Sequence, residues 1–155
     1  MSRFILALVL LFSPLAVAQD DDSPSYMALV SHEVNMRVGP GREYSIKWIY
    51  KRRHLPFEVI EQVPAGWVRV RAHDGQEGWI SRHLLTPRRT FRVQSYRVAV
   101  HRRANEGSRI IANLQEGVVG ELNSCNPVWC QISVESIRGW VKREHLWGVD
   151  HSEIF

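Results

Sequence analysis

From residue 26 onward the chain consists of short runs in which apolar and polar residues alternate. In one of these runs, Val68 and Val70 fall on one face of an extended segment and Trp67 falls on the other. Alternation with a period of two is typical of strands that bury only one face. The pattern therefore predicts strands over residues 26–38, 46–50, 57–63, 67–71, 78–80, 91–100, 110–114, 118–122, 129–132 and 139–141.

Turn-forming residues separate these runs. Gly39-Pro40-Gly41 and Pro64-Ala65-Gly66 each end a run in a loop. Asp74-Gly75 predicts a hairpin turn, because this dipeptide readily adopts the positive φ values that such turns need. No segment of the sequence shows a sustained helical period of apolar residues. We therefore expect an all-β fold.

The runs occur twice in the same order. Gly78-Trp79-Ile80 matches Gly139-Trp140-Val141, and a leucine lies six residues after each of the two tryptophans. Trp67 likewise matches Trp129. A repeat of about sixty residues whose matching segments are all short strands predicts tandem small β domains. Because a position that both copies share most often serves the fold, we expect Trp79 and Trp140 to lie in the core or at its edge.

The N-terminus has the layout of a cleavable secretory signal. A basic start at Arg3 precedes an apolar run over residues 4–11, and Pro14 breaks any helix that follows. Ala16-Val17-Ala18 places small residues where a signal peptidase reads them. The apolar run is shorter than the ~20 residues of a membrane-spanning helix. We expect cleavage after Ala18, a periplasmic or secreted location, and no membrane span in the mature chain.

The charge of the exported part favours anionic partners. Without Arg3 and the acidic residues 20–22, the chain has 19 Lys and Arg against 13 Asp and Glu, a net charge of +6. Such a surface suits wall polymers, lipid head groups or acidic proteins, although a moderate positive charge also keeps an exported domain soluble. The expected compartment argues against nucleic acid as a partner. We expect a monomer without a cofactor.

The two cysteines point to a disulfide. Cys125 and Cys130 are separated by four residues, and a close, even pair in an oxidising compartment favours a bond between them. Asn126-Pro127 between them provides turn chemistry, so we expect the bond to join the two strands of a hairpin. The alternative is a catalytic thiol, which is disfavoured because a nucleophile would not be expected to have a disulfide partner so close.

The motifs of the first copy, in their order and spacing, resemble the bacterial SH3 (SH3b) family. The resemblance rests on Asn35-Met36-Arg37-Val38-Gly39-Pro40-Gly41, Trp67-Val68, Val70, Asp74-Gly75 and Gly78-Trp79-Ile80. The second copy resembles the same family through Glu116-Gly117, Trp129-Cys130, Gly139-Trp140-Val141 and Leu146-Trp147-Gly148. Together the two copies resemble exported tandem-SH3 proteins of proteobacteria. The resemblance implies small barrels that bind cell-wall peptidoglycan or peptides.

The resemblance also implies a division of the chain and a difference between the copies. We expect two tandem small SH3-like β-barrels after a cleavable signal peptide: signal 1–18, linker 19–25, first domain 26–86, linker 87–91, second domain 92–149 and tail 150–155. In the second copy, residues 99–104 depart from the Asn-x-Arg-x-Gly-Pro pattern of the family. A ligand site that uses this loop would therefore be kept in the first copy only.

Candidate ligand residues are sought where the copies differ. Trp48 has no tryptophan counterpart in the second copy, where Ala112 stands, and a requirement of the fold would more often repeat. Aromatic rings suit carbohydrate- or peptide-binding surfaces. The predicted ligand-binding residues are Arg37, Tyr44, Trp48, Tyr50, Arg52, Arg53 and Trp67.

Each of these predictions has a plainer alternative. Arg37 could hold its own loop through backbone hydrogen bonds, and the basic turn at Arg52 and Arg53 could be a solvated loop. Trp67 and Trp129 could line a groove or cap the barrel.

The sequence carries no motif of a metal site or of a known catalytic site. Its seven histidines are scattered, without the short recurring spacings that a structural zinc site uses. The nucleophile and zinc-hydrolase motifs are absent from the sequence as well. The sequence therefore predicts a non-catalytic exported protein that binds peptidoglycan or an envelope peptide or protein. The alternatives are an adaptor or inhibitor of a wall hydrolase, a structural envelope component, and an enzyme with an unrecognised site.

Overall fold

The fold is that of a computed structural model of the chain, which describes residues 25–150 and 153–155. The predicted leader, residues 1–18, and its cleavage position lie outside the described residues. In the part of the chain that is described, no helix is both long and apolar enough to cross a membrane.

Seven short strands form the first sheet, which we call barrel 1. They are β1 Tyr26–Leu29, β2 Val34–Arg37, β3 Ile46–Tyr50, β4 Pro56–Val63, β5 Trp67–Arg71, β6 Glu77–Ser81 and β7 Leu85–Thr86. Their order in the sheet is β3-β2-β6-β5-β4-β1-β7, with antiparallel pairing. A 3₁₀ turn, Arg82–Leu84, connects β6 to β7.

The second sheet, barrel 2, repeats this arrangement. Its strands are β8 Thr90–Val93, β9 Arg97–His101, β10 Ile110–Gln115, β11 Val119–Cys125, β12 Trp129–Val134, β13 Ile137–Lys142 and β14 Leu146–Trp147. Their order, β10-β9-β13-β12-β11-β8-β14, is the order of barrel 1, and a 3₁₀ turn again precedes the last strand. The predicted all-β fold and the predicted tandem repeat are confirmed.

The run 26–38 was predicted as one strand, but it forms two. β1 pairs with β4 and β7, whereas β2 pairs with β3 and β6. The chain must therefore leave one part of the sheet after Leu29 and enter another at Val34. The run 91–100 divides in the same way into β8 and β9. Alternation alone could not show this division because both halves keep the same period.

Each barrel has its own core, built from the inward face of its strands. On β5, Val68 and Val70 are fully buried while Trp67 is half-buried on the outer face, as the alternation predicts. The largest fully buried rings are Phe57 in barrel 1 and Phe91 in barrel 2. Burying such apolar surface is the main favourable term in folding.

The repeated Gly-Trp motif closes each barrel through its glycine. A Cβ atom on Gly78 would lie 2.5 Å from the Met36 side chain and 2.8 Å from the Arg37 carbonyl oxygen. Gly139 meets Val100 and the backbone of barrel 2 in the same way. The tryptophans that follow, Trp79 and Trp140, are half-buried on the outer face, so a core position for their rings is wrong. The two strands approach so closely at this point that only a glycine fits. The tryptophan ring that follows covers the outer face of the sheet.

One tryptophan joins the two barrels. The Trp147 indole Nε1 on β14 donates a hydrogen bond of 3.0 Å to the Pro56 carbonyl oxygen on β4. Its ring meets the Tyr26 ring edge to face, with centroids 5.5 Å apart. Burial is the main reason that the pKa of Tyr26 rises to about 12. The last strand of barrel 2 therefore packs against the first and fourth strands of barrel 1.

Further contacts fix the same junction. Val119 at the start of β11 packs against the buried cluster of barrel 1. Arg88 in the joint between the barrels forms an ion pair with Glu121 of β11. Arg89 pairs with Glu153 at 2.6 Å, and the two side chains are largely buried. The apolar contact and the indole hydrogen bond join the two barrels, and the ion pairs hold the joint between them against barrel 2 and the C-terminal segment.

The predicted disulfide between Cys125 and Cys130 is confirmed. The two residues are register partners on β11 and β12, so the bond joins the strands of one hairpin, as expected. Asn126 shapes the turn, because its Oδ1 accepts hydrogen bonds from the backbone N–H groups of Val128 at 2.9 Å and Trp129 at 2.7 Å. The hairpin end also holds the segment at Phe155, which exchanges two backbone hydrogen bonds with Cys125.

Removal of this disulfide should lower the stability of barrel 2. The double variant Cys125→Ser and Cys130→Ser should lose about 2 kcal/mol of unfolding free energy, because a short closed loop restricts the unfolded chain only modestly. Urea unfolding of the variant and of the oxidised protein measures the difference. The reduced wild-type protein should unfold at the same urea concentration as the variant. Equal stability of the variant and the oxidised protein would contradict the prediction.

His73 lies at the junction in a setting that disfavours its charge. Its Nδ1 is buried and has no hydrogen-bond partner among the described residues. Burial is the main cause of its lowered pKa, and the charge of Arg92 in barrel 2 lowers it further. The folded protein therefore holds this imidazole neutral at a pH where the unfolded chain already takes up a proton.

The stability of the fold should consequently fall as the pH drops below the ordinary histidine pKa of 6.5. Below that value the unfolded state binds a proton that folded His73 resists, so protons favour unfolding. His73→Gln removes this contribution, and its melting temperature should decline less between pH 7.5 and pH 5 than that of the wild type. Some decline should remain, because burial also lowers the pKa of His54. Parallel declines in the two proteins would refute the role of His73.

Candidate functional site

The residues predicted to bind a ligand fall in four different places, one of which is the buried position of Tyr50 described below. Arg37 and Trp67 line a cleft on barrel 1. Tyr44 and Trp48 are exposed on β3 and the loop before it. The basic turn lies elsewhere, at a groove between the barrels. The single aromatic and basic patch expected from the sequence is therefore divided.

The cleft on barrel 1 brings charged, amide, hydroxyl and aromatic side chains together. It has a volume of about 310 Å³. β2, the adjoining loop, β5 and the end of β6 supply its walls. Its lining residues are Glu33, Val34, Asn35, Arg37, Arg42, Trp67, Ser81, His83 and Leu84.

Arg37 holds the loop that borders the cleft. Its Nη1 donates a hydrogen bond of 2.6 Å to the Tyr44 carbonyl oxygen, which closes the loop 38–45 onto the end of β2. The Tyr44 ring packs over Gly39, where a Cβ atom would lie 2.4 Å from the ring. The loop-holding alternative for Arg37 is thus present in the structure, and the residue lines the cleft from that position.

The position of Trp67 follows from strand register. Trp67 is paired with Ser81 across β5 and β6, so both side chains face outward at the same level of the sheet. The Ser81 hydroxyl is 2.9 Å from Nδ1 of His83, which orients that ring at the cleft. The tryptophan face, the hydroxyl and the imidazole together offer an apolar surface with polar groups at its edge.

The cleft carries charges of both signs. Arg42 is exposed and has no ion-pair or hydrogen-bond partner for its side chain among the described residues. Glu33 is 3.6 Å from Lys51, and both side chains are largely exposed. An ion pair this exposed contributes little stability, so Glu33 can exchange its partner. The arrangement can therefore bind a carboxylate at Arg42 and a donor at Glu33.

Barrel 2 does not reproduce this cleft. Trp129, the counterpart of Trp67, is buried with 6% exposure, and its ring meets His101 edge to face. Lys142 replaces Ser81 and forms an ion pair with Glu106. The hydrogen bond between the two side chains is the main cause of the lowered pKa of Glu106 and the raised pKa of Lys142. A depression of about 310 Å³ remains near these residues, but no tryptophan lines it.

Tyr50 is not part of an exposed patch. Its side chain is only 6% exposed and meets the Phe57 ring edge to face at 4.9 Å. Burial raises its pKa above the ordinary value. Tyr50 ends β3 opposite Val34, at a register position that faces the core. The predicted ligand role of Tyr50 is therefore wrong for this structure.

Tyr44 and Trp48 do remain at the surface. They are 42% and 49% exposed, and Ile46 and Ile49 beside them are similarly exposed. β3 is an edge strand that pairs only with β2, so its outer backbone groups have no strand partner among the described residues. This strand is an apolar, unprotected edge.

Several residues that line the cleft were not predicted from the sequence. Asn35 alternates with Arg37 on β2 and could have been found from the period of the strand. Ser81 could have been found from the hairpin register opposite Trp67. Arg42 gave no signal, because it lies in an irregular loop without a repeated counterpart. In the described part of the chain, no group of three His, Cys, Asp or Glu residues could hold a metal ion.

Comparison with protein families gives two consecutive matches. The family model described as "Bacterial SH3 domain" matches residues 30–87 and again residues 94–148. These two regions contain most of the strands of barrel 1 and barrel 2.

Among curated proteins, the chain is similar to the "Putative N-acetylmuramoyl-L-alanine amidase YrvJ" of Bacillus subtilis, with 24% identity over 154 residues. The match covers 92% of this chain but 28% of that protein. Two solved structures with weaker likeness are NlpC2 from Trichomonas vaginalis, with a TM-score of 0.37 and 13% identity, and an NlpC/P60 family protein from Bacillus cereus, with 0.37 and 10%. The matches cover 84% and 79% of this chain, and the chain spans about half of each of them, 51% and 56%.

Proposed function

The chain belongs to the bacterial SH3 domain family, and we propose that it is a non-catalytic, extracytoplasmic binding protein whose barrel 1 attaches to cell-wall peptide. The observation that carries the proposal is the open face of Trp67 in the cleft of barrel 1, which the depression on barrel 2 lacks. The similarity to a protein described as a wall amidase supports the cell wall as the place of action.

The cleft suits a short extended peptide. The exposed face of Trp67 can pack against aliphatic carbons or a peptide plane, as aromatic side chains do at binding surfaces. Asn35 and Ser81 offer hydrogen-bond partners for peptide amides, and a carboxylate of the ligand would bind Arg42. A charge-assisted hydrogen bond from an arginine is stronger than a neutral one. Glu33 would bind a positively charged or amide group at the other end.

The proposal assigns barrel 2 a supporting part. With Trp129 buried and Lys142 neutralised by Glu106, its equivalent surface has no free aromatic face. Barrel 2 would keep barrel 1 oriented through the junction at Trp147. This division of labour follows from the loop 99–104, where the family pattern is lost.

A protein partner is the second candidate, and the edge strand β3 favours it. An unpaired edge with exposed apolar side chains is a place where another chain can add a strand. Ile46, Trp48 and Ile49 would supply the apolar contacts. Such a contact would fit an adaptor or inhibitor of a wall hydrolase.

Replacement of Trp67 by alanine should weaken retention of the chain on purified peptidoglycan sacculi. The loss should be about tenfold, because an aromatic contact worth about 1.5 kcal/mol corresponds to one decade in affinity. Arg42→Gln should also weaken retention, and it leaves the fold intact because the side chain is exposed. Co-sedimentation over a range of sacculus concentrations measures both effects, and thermal unfolding verifies that the variants are folded.

Trp79→Ala is the matched control. Trp79 is half-buried on the outer face of the neighbouring strand but does not line the cleft, so this variant should be retained like the wild type. Unchanged retention of both cleft variants, or equal loss in the control, would contradict the proposal. Loss of an envelope protein partner in Trp48→Ala, with sacculus retention unaffected, would favour the adaptor.

A further inference from the structure

We propose that the groove between the two barrels is a second binding site, which takes a short peptide carrying carboxylate groups. The groove has a volume of about 790 Å³. The turn after β3 forms one wall, and β10 together with the β12–β13 hairpin forms the other. The polar side chains that line it include Arg52, Arg53, Asn113, Gln115, Ser133 and Glu135.

The wall from barrel 1 holds two arginines without partners. Arg52 and Arg53 are exposed, and neither side chain has an ion pair or hydrogen bond to another described residue. Arg71, by contrast, is neutralised, because it contacts Glu58 at 2.8 Å and Glu77 at 2.7 Å. Two adjacent guanidinium groups at the wall of a groove are well suited to carboxylates, which they can bind through paired hydrogen bonds.

The wall from barrel 2 offers groups that recognise peptide bonds. Asn113 and Gln115 are exposed on β10, and an amide side chain can both donate and accept hydrogen bonds. Ser133 accepts a hydrogen bond of 2.8 Å from Asn123, so its hydroxyl hydrogen remains available to a ligand carbonyl. These polar groups face the arginine wall across the groove.

The remaining lining favours a peptide over a polyanion. Val118, Val119 and Ile137 give the groove an apolar part, against which the aliphatic carbons of a peptide can pack. Glu135 contributes a carboxylate with no ion-pair partner among the described residues, and it lies in a tight turn with φ +51°. The Glu135 carboxylate would repel a polyanion of closely spaced phosphates or uronates, whereas a peptide can donate a hydrogen bond to it from an N–H group.

Neither barrel contains this site alone. Its width depends on the junction, where Trp147 bonds to Pro56 and Arg88 pairs with Glu121 at the edge of the groove. The site therefore goes beyond the cleft on barrel 1, which uses residues of one barrel only.

The test is fluorescence anisotropy of a labelled hexapeptide of alternating alanine and glutamate, titrated with the mature chain. Arg52→Gln with Arg53→Gln should weaken binding at least tenfold. Asn113→Ala with Gln115→Ala, on the opposite barrel, should weaken it at least threefold. All four side chains are exposed, and circular dichroism melting curves verify that the variants are folded.

Arg102→Gln with Arg103→Gln is the matched control, because it removes the same charge from an exposed loop of barrel 2 outside the groove. This variant should bind the probe within twofold of the wild type. An equal loss in the arginine control, no loss in the Asn113 and Gln115 variant, or no binding of the probe would overturn the proposal. Tighter binding of oligogalacturonate or polyphosphate than of the peptide would also overturn it. Loss of probe binding in Arg42→Gln but not in Arg52→Gln with Arg53→Gln would assign the probe to the cleft on barrel 1 and would overturn the groove. Retention on sacculi reports on the cleft separately.

Discussion

The hydrogen bond from the Trp147 indole to the Pro56 carbonyl oxygen connects two barrels, each of which has its own core. Gly148, which follows Trp147, packs closely at the same junction. Its φ is +111°, and a Cβ atom there would lie 2.3 Å from the Thr90 carbonyl oxygen and 3.1 Å from Pro56. The junction thus depends on a tryptophan and a glycine in sequence, whereas barrel 1 has Thr86 and Pro87 after the corresponding leucine.

The two copies agree where each closes its sheet and differ at the surface. Where both copies close a sheet, they keep the same residues, such as Gly78 and Gly139 against the crossing strand. At the surface they differ: Trp67 lines an open cleft, while Trp129 is covered by His101. The disulfide belongs to barrel 2 alone, at the hairpin that also binds the segment at Phe155. A second copy that no longer presents the cleft can still contribute a junction and a groove wall.

Much of the fold could be predicted from the sequence because it depends on local patterns. Alternation predicts the inward position of Val68 and Val70, and cysteine spacing predicts the hairpin disulfide. Features that depend on which strands become neighbours could not be predicted. Tyr50 looks like a further exposed aromatic beside Trp48, yet its register opposite Val34 turns it into the core. The position of Arg52 at a groove between the barrels depends on the inter-barrel junction, which no repeat within one copy encodes.

The central claim is that the two barrels behave as one body in solution. Residual dipolar couplings of backbone amides, measured for both barrels in one alignment medium, test it directly. The account predicts that a single alignment tensor fits the couplings of strands β1–β14 in the orientation fixed by Trp147 and Pro56. Two tensors of different magnitude, one for each barrel, would show independent tumbling and would contradict it.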